Sequence, residues 1–291
     1  MIRRPLVTII INTYNDAPLL PSAIESALSQ TWPNLQILVY NNASTDNTSS
    51  IVRKVGDSRV ELIESKAHVN LSTARNLALA FARGELVCFL DSDDTWHPKK
   101  VEIQVDVMRK SNADLSFTNF RFRDANHLRP PTFRFANLDA IAHSLPLEIS
   151  YPAALSTIMF KISALAGNPF YESTHITGDY RLVTSLARHC KWKMIPQSLV
   201  TIARRSSGES ATKVQLMVQE LAAYSNFLRT EGESSASAYV ALRVLEIGLY
   251  RGRGKFVTSP LFRQLIFDPR LFPWLPSYLF YRLKHSILLT R

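Results

Sequence analysis

Through the first half of the chain, short β-branched apolar runs alternate with stretches of helical periodicity. This alternation constrains the fold more than any other feature. A strand, a crossover helix and a second strand in one sheet close as a right-handed βαβ unit, and successive units build a parallel sheet with helices on its faces. The predicted strands are Val7 to Ile11, Leu35 to Tyr40, Val60 to Ile63, Leu86 to Leu90 and Asp114 to Phe117. Between the first two, Leu20, Ile24 and Leu28 recur at helical spacing; between the third and fourth, Ala74, Leu77, Ala78 and Phe81 do the same. Asp46 or Thr48 is placed to cap a helix through Ile51 to Lys54, and Gly84 to end the helix ahead of the fourth strand.

After about residue 120 the rhythm breaks. Arg121 to Pro131 reads as a loop or hairpin, and Trp192 to Ile202 as a strand pair interrupted by Pro196. Helical patterns are expected at Asn137 to Ser144, Asp179 to His189, Lys213 to Arg229 and Ala236 to Tyr250. The expected fold class is therefore α/β, a Rossmann-like, mainly parallel central sheet with flanking helices and a helical C-terminal extension. Its expected division is residues 1–210 (halves 1–120 and 121–210) followed by a helical region at 211–291.

Hydrophobic residues make up 46% of the 291 positions and charged residues 20%, a folded rather than disordered composition. Apolar runs stop short of the roughly 18 residues a spanning helix needs, and Leu6 to Ile11 reads as a first strand rather than a leader. Two cysteines, Cys88 and Cys190, build no disulfide framework and suit a reducing, cytoplasmic setting. Of the net charge of +10, residues 251–291 carry +7. Their basic and aromatic side chains suit peripheral contact with an anionic inner membrane face through residues 255–291; docking of the same segment on the protein's own core is the alternative. With the excess confined to one tail and no recognition motif beside it, no nucleic-acid partner is expected.

The chemistry concentrates at strand ends. Asp91-Ser92-Asp93-Asp94 puts three carboxylates in four residues after an apolar strand, where open α/β sheets bind ligands. Such a cluster suits a hard divalent cation; the alternative is a solvated turn in which Asp94 caps a helix beginning near Pro98. Strand one ends in Asn12-Thr13-Tyr14-Asn15-Asp16 and strand two in Asn41 to Asp46, with groups able to read a base and a ribose; Arg75 can offer a guanidinium to phosphate. Gly-x-Gly-x-x-Gly and the phosphate-loop glycine pattern are absent, which excludes a dinucleotide-dependent dehydrogenase and a P-loop enzyme. The glycine-free stretch from Asn12 to Leu20 argues against a sugar-nucleotidyltransferase.

Taken in order, Val7 to Asn15, Asn42 to Thr48, Ser72-Thr73-Ala74-Arg75-Asn76 and Gly84-Glu85 leading into Leu90 to Asp94 resemble family 2 glycosyltransferases of the GT-A fold. Ser156 to Lys161 and Gly178 to Leu182 resemble that family's acceptor-side segment, so the likeness covers roughly residues 5–205. The resemblance implies an inverting enzyme that moves a sugar from a nucleotide-diphosphate donor to a hydroxyl of a glycan or lipid-linked acceptor in surface polysaccharide assembly. It places Thr13, Tyr14, Asn41, Arg75, Asp91, Ser92 and Asp93 around the donor. It makes Asp91 and Asp93 the ligands of Mg²⁺ or Mn²⁺, Asp93 the more direct, and Asp179 the catalytic base. The chain departs from the pattern at Asn41-Asn42-Ala43, where two acids and a glycine are usual, and at Gly178, where an acid usually precedes the base. It also lacks a common histidine at Arg204 to Ser207, where Arg204 or Arg205 offers a diphosphate clamp, with a plain surface pair as the alternative. The departures keep open a catalytically impaired, sugar-nucleotide-binding relative.

Overall fold

A computed structural model describes residues 4–124, 127–131, 154–165, 177–204, 214–251, 261, 265 and 267–279. Its first four long strands are β1 (Val7–Thr13), β2 (Leu35–Asn41), β3 (Val60–Glu64) and β4 (Leu86–Phe89). They run parallel in the order β3-β2-β1-β4. Helices α1 (Leu20–Leu28), α2 (Thr48–Arg53) and α3 (Leu71–Leu79) make the three crossovers. β2 and β4 are buried along their whole lengths, as parallel strands covered on both faces must be.

α1 buries Leu20 and Ile24 of the expected stripe together with Ala23 and Ala27, while Leu28 is half-buried. Asn70 caps α3 by accepting from the Thr73 amide at 2.9 Å, and Asp46 Oδ1 accepts from the Thr48 amide at 3.0 Å at the start of α2. Gly84 does not end a helix: α3 stops at Leu79, and Phe81 beyond it is exposed. The glycine lies against β1, where an added Cβ would stand 2.6 Å from the Thr8 backbone nitrogen.

Beyond β4 the sheet turns mixed. β5 (Thr95–Trp96), β6 (Leu115–Asp124), β7 (His127–Pro131), β8 (Ile158–Lys161) and β9 (Trp192–Arg204) continue it in the order β4-β8-β6-β9-β5, with β7 pairing β6 as a hairpin. β8 is antiparallel to β4 and β6, whereas β9 is parallel to β6. The expected strand pair around Pro196 is one strand: its register against β6 shifts between Ile195 and Ser198, and Asn119 Nδ2 donates to the Pro196 carbonyl at 3.2 Å. An irregularity accommodates the proline without ending the ladder. α4 (Lys100–Ser111) closes this half and brings Lys100 into the interior, 3.7 Å from the Trp96 ring centroid and 3.3 Å from the Ile158 carbonyl. Burial pulls the Lys100 ammonium down to about 8, with Cys88 opposing that shift.

The described residues form two compact units. One holds the sheet and its helices up to residue 165 together with 185–204; the other holds 177–184 and the described residues beyond 213. In the second, α5 (Gly178–His189) begins, and α6 (Val214–Thr230) packs on α7 (Ser234–Arg251) through Val218, Leu221, Tyr224, Leu228, Val240 and Val244. The start of α5, expected with residues 121–210, thus clusters with the C-terminal helices. The helix expected at 137–144 lies outside the described residues.

Candidate active site

The site is built from loops at the carboxyl ends of β1 to β4, and each loop fastens another. Asn15, at φ 52°, accepts from the Thr45 amide through Oδ1 (2.8 Å), while its own amide donates to Ser44 Oγ (3.0 Å). Asp46 Oδ2 accepts from the Ala17 amide at 3.0 Å, which burial opposes and hydrogen bonds reward: the balance holds its carboxyl below the usual range. Asn42 grips the loop after β3, accepting from the Val69 amide (3.1 Å) and donating to the Val69 carbonyl (2.7 Å). Asn41 turns inward, donating to Ser49 Oγ at 2.8 Å and accepting from the Ser44 amide at 2.9 Å. The side chain expected to read the base is thus 3% exposed and committed to its own loop.

Tyr14 stands differently. It is 46% exposed, and its ring lies 4.0 Å, centroid to centroid, from that of His68. Thr13 is buried, with no hydrogen-bond partner for its hydroxyl among the described residues.

Where the strand order reverses, between β1 and β4, Asp91-Ser92-Asp93-Asp94 forms a turn closed by the Asp94 amide donating to the Asp91 carbonyl at 3.0 Å. Ser92 Oγ donates across the reversal to Asp16. Arg75 reaches Asp91 at 3.3 Å, its side chain 9% exposed against 45% for the carboxylate. Asp91 therefore presents charge outward over a nearly buried cation. Asp93 is half-buried beside it.

Asp94 points the other way. It accepts from Ser156 Oγ (2.6 Å) and the Ala203 amide (3.1 Å), while Ser156 Oγ also accepts from the Asp91 amide (3.1 Å). Burial first, and the Asp91 charge second, push the Asp94 carboxyl well above the usual carboxylate range. The turn thus presents Asp91 outward with Asp93 half-buried beside it, and turns Asp94 into an inward brace rather than a cap for α4. Sequence reasoning missed Ser156 and Asp16 as parts of this turn. Their only local signals were polar residues next to apolar runs.

Asp179 belongs to the other unit, in the first turn of the twelve-residue α5, where the helix dipole favours a carboxylate. Buried Glu220 holds that helix start by accepting from the Thr177 amide (2.9 Å) and hydroxyl (2.8 Å). Tyr224 of α6 meets the first two turns of the same helix, with Thr184 at 3.1 Å from its hydroxyl and the Arg181 guanidinium over its ring. Arg205 lies outside the described residues.

The family model for glycosyl transferase family 2 matches residues 8–161, more than half of the chain. The chain belongs to that family. Curated relatives include two Escherichia coli proteins named UDP-Glc:alpha-D-GlcNAc-diphosphoundecaprenol beta-1,3-glucosyltransferase. WfaP is 39% identical over 40% of this chain and 46% of its own, and WfgD is 37% identical over 42% and 49%. The match thus spans about half the length of these relatives. Among solved structures, Staphylococcus aureus TarS in complex with UDP-GlcNAc aligns at a TM-score of 0.70 and 17% identity, covering 97% of this chain and 83% of that one. A Pyrobaculum calidifontis mannosyltransferase in complex with GDP-Man and Mn²⁺ aligns at 0.62 and 21% identity, covering 99% and 86%. These likenesses show the GT-A fold of the family 2 glycosyltransferases, and Asp91 to Asp94 follow its fourth parallel strand.

Proposed function

We propose that the chain is an inverting glycosyltransferase, moving a sugar from a nucleotide-diphosphate donor to a hydroxyl of a lipid-linked glycan acceptor. The observation that carries this reading is the turn at the β1/β4 reversal, where Asp91 faces outward over the near-buried Arg75, Asp93 is half-buried beside it and Asp94 is held inward. The donor nucleotide lies along the strand ends, its base toward Tyr14 and its diphosphate toward the turn. An exposed aromatic face suits a base, and a guanidinium suits phosphate.

The turn also fits Mg²⁺ or Mn²⁺. Asp91 and Asp93 are hard oxygen donors, and no group of three or more metal-binding side chains occurs among the described residues. Two protein carboxylates leave most of the coordination shell to diphosphate and water, as these ions accept. Such an ion would supply charge stabilisation for the departing diphosphate. Arg75 keeps Asp91 oriented, and the Ser156 brace fixes the direction of the turn.

Asp179 takes the proton of the acceptor hydroxyl as that oxygen attacks the anomeric carbon from the face opposite the diphosphate. The glycosidic bond to the diphosphate breaks as the bond to the acceptor forms, so the anomeric configuration inverts. A polyprenol-diphosphate-linked acceptor, as named for the E. coli relatives, would bring the chain to the inner membrane face. Exposed Phe267 and Phe272 suit peripheral contact there, while Leu271 and Tyr278 of the same segment pack on Ala238, Tyr239 and Leu242. No helix among the described residues is long and apolar enough to cross a membrane.

The test is transfer from UDP-glucose to GlcNAc-diphosphoundecaprenol with Mn²⁺. A β-linked product is expected, with turnover reduced on the order of a thousandfold in Asp179→Asn at unchanged donor affinity. An α-linked product, or full activity in Asp179→Asn, would contradict the reading.

A further inference from the structure

We infer that His68 selects the donor's base: its Nε2 accepts a hydrogen bond from a ring N–H, so the site takes uracil or guanine in preference to cytosine. The inference rests on the donor-site reading above and deepens it.

Three observations carry it. The first is the tautomer. His68 Nδ1 lies 3.2 Å from the Asn42 carbonyl. A carbonyl oxygen only accepts, so Nδ1 carries the proton and the neutral ring keeps its one lone pair at Nε2. The loop that holds the ring is fixed on both sides of it. The Ser65 amide donates to the Asn41 carbonyl at 2.9 Å, and Val69 exchanges two hydrogen bonds with the Asn42 side chain.

The second is location. His68 is exposed and packs on Tyr14, the exposed aromatic at the end of β1, with an interplanar angle of 37°. The imidazole therefore stands beside the aromatic surface to which the donor base is assigned. The third is the commitment of the neighbouring amides. Both polar atoms of the Asn41 and Asn42 side chains, and Asn15 Oδ1, already bond within the strand-end loops. His68 Nε2 is the ring acceptor that this corner presents to a ligand.

The chemistry then sorts the bases. Uracil offers N3–H and guanine offers N1–H, each a donor to a fixed acceptor. Cytosine places a lone pair at N3, which would face the Nε2 lone pair and leave both groups unpaired, a loss of about tenfold in affinity.

Calorimetric titration of UDP, GDP and CDP against wild type, His68→Phe and His68→Gln tests this. Phenylalanine keeps a ring on Tyr14 and removes both nitrogens; glutamine keeps a carbonyl acceptor. Wild type is expected to prefer UDP or GDP over CDP about tenfold, His68→Phe to lose the preference to within about threefold, and His68→Gln to recover part of it. A preference that survives in His68→Phe, an equal loss for all three nucleotides, or CDP binding as tightly as the others to wild type would overturn the role of His68 alone. Failure of wild type to bind any of the three would overturn it together with the donor site.

Discussion

Asp94 shows how one residue's surroundings decide its job within a motif. Its carboxyl is 3% exposed and pushed up by burial and by Asp91, so the folded protein holds its proton to higher pH than the unfolded chain, whose carboxyl titrates near 3.8. A raised carboxyl gives a contribution to stability that falls as pH rises above about 4, because the unfolded chain then releases a proton that the folded one retains. Asparagine mimics the protonated form: its Oδ1 can accept from Ala203 and its Nδ2 donate to Ser156. Urea unfolding should therefore show Asp94→Asn within about 1 kcal/mol of wild type at pH 7, and Asp94→Leu about 2–3 kcal/mol less stable, with the Ala203 amide left unpaired. Equal losses in both variants would contradict this division of roles. The sequence showed three acids in four residues but not which one turns inward, because its partners Ser156 and Ala203 lie 62 and 109 residues away. Asn41 shows the local counterpart. Its type suits base recognition, but its partners Ser44 and Ser49 sit only a few residues along the chain and draw it into the loop.

At the level of elements, the crossovers were legible because their signals are local: the Leu20, Ile24 stripe of α1, and Asp46 at the start of α2. β5 and β8 were not, since two and four residues are too few to show a period. Pro196 reads as a break in sequence because only the partner strand β6 can absorb it as an irregularity. Gly84 carries a long-range demand that resembles a local one. It looks like a helix stop, yet its amide donates to Thr8 Oγ1 at 2.9 Å and its Cα leaves no room for a methyl against the backbone of β1. Gly84→Ala must therefore move the strand entrance apart, and a loss of about 2–4 kcal/mol is expected in chemical denaturation. A variant as stable as wild type would show that this approach can relax without cost.

At the scale of the molecule, the parallel order β3-β2-β1-β4 places its reversal between β1 and β4, and the polar ends of those strands meet there. The repeating βαβ pattern already encoded the parallel run, whereas the order that sets the reversal depends on which strands pair. The mixed half of the sheet and the grouping of Asp179 with α6 depend on contacts between segments far apart in sequence, which no window reveals. On the function proposed above, the Asp91 to Asp93 turn binds a nucleoside diphosphate together with a divalent cation. Isothermal titration of UDP and GDP with and without Mn²⁺, against wild type and Asp93→Ala, tests it most directly. Mn²⁺-dependent binding of one of them by wild type is expected, with its loss in a folded Asp93→Ala. Binding that is indifferent to both the metal and the substitution, or no binding by the folded wild type, would contradict it.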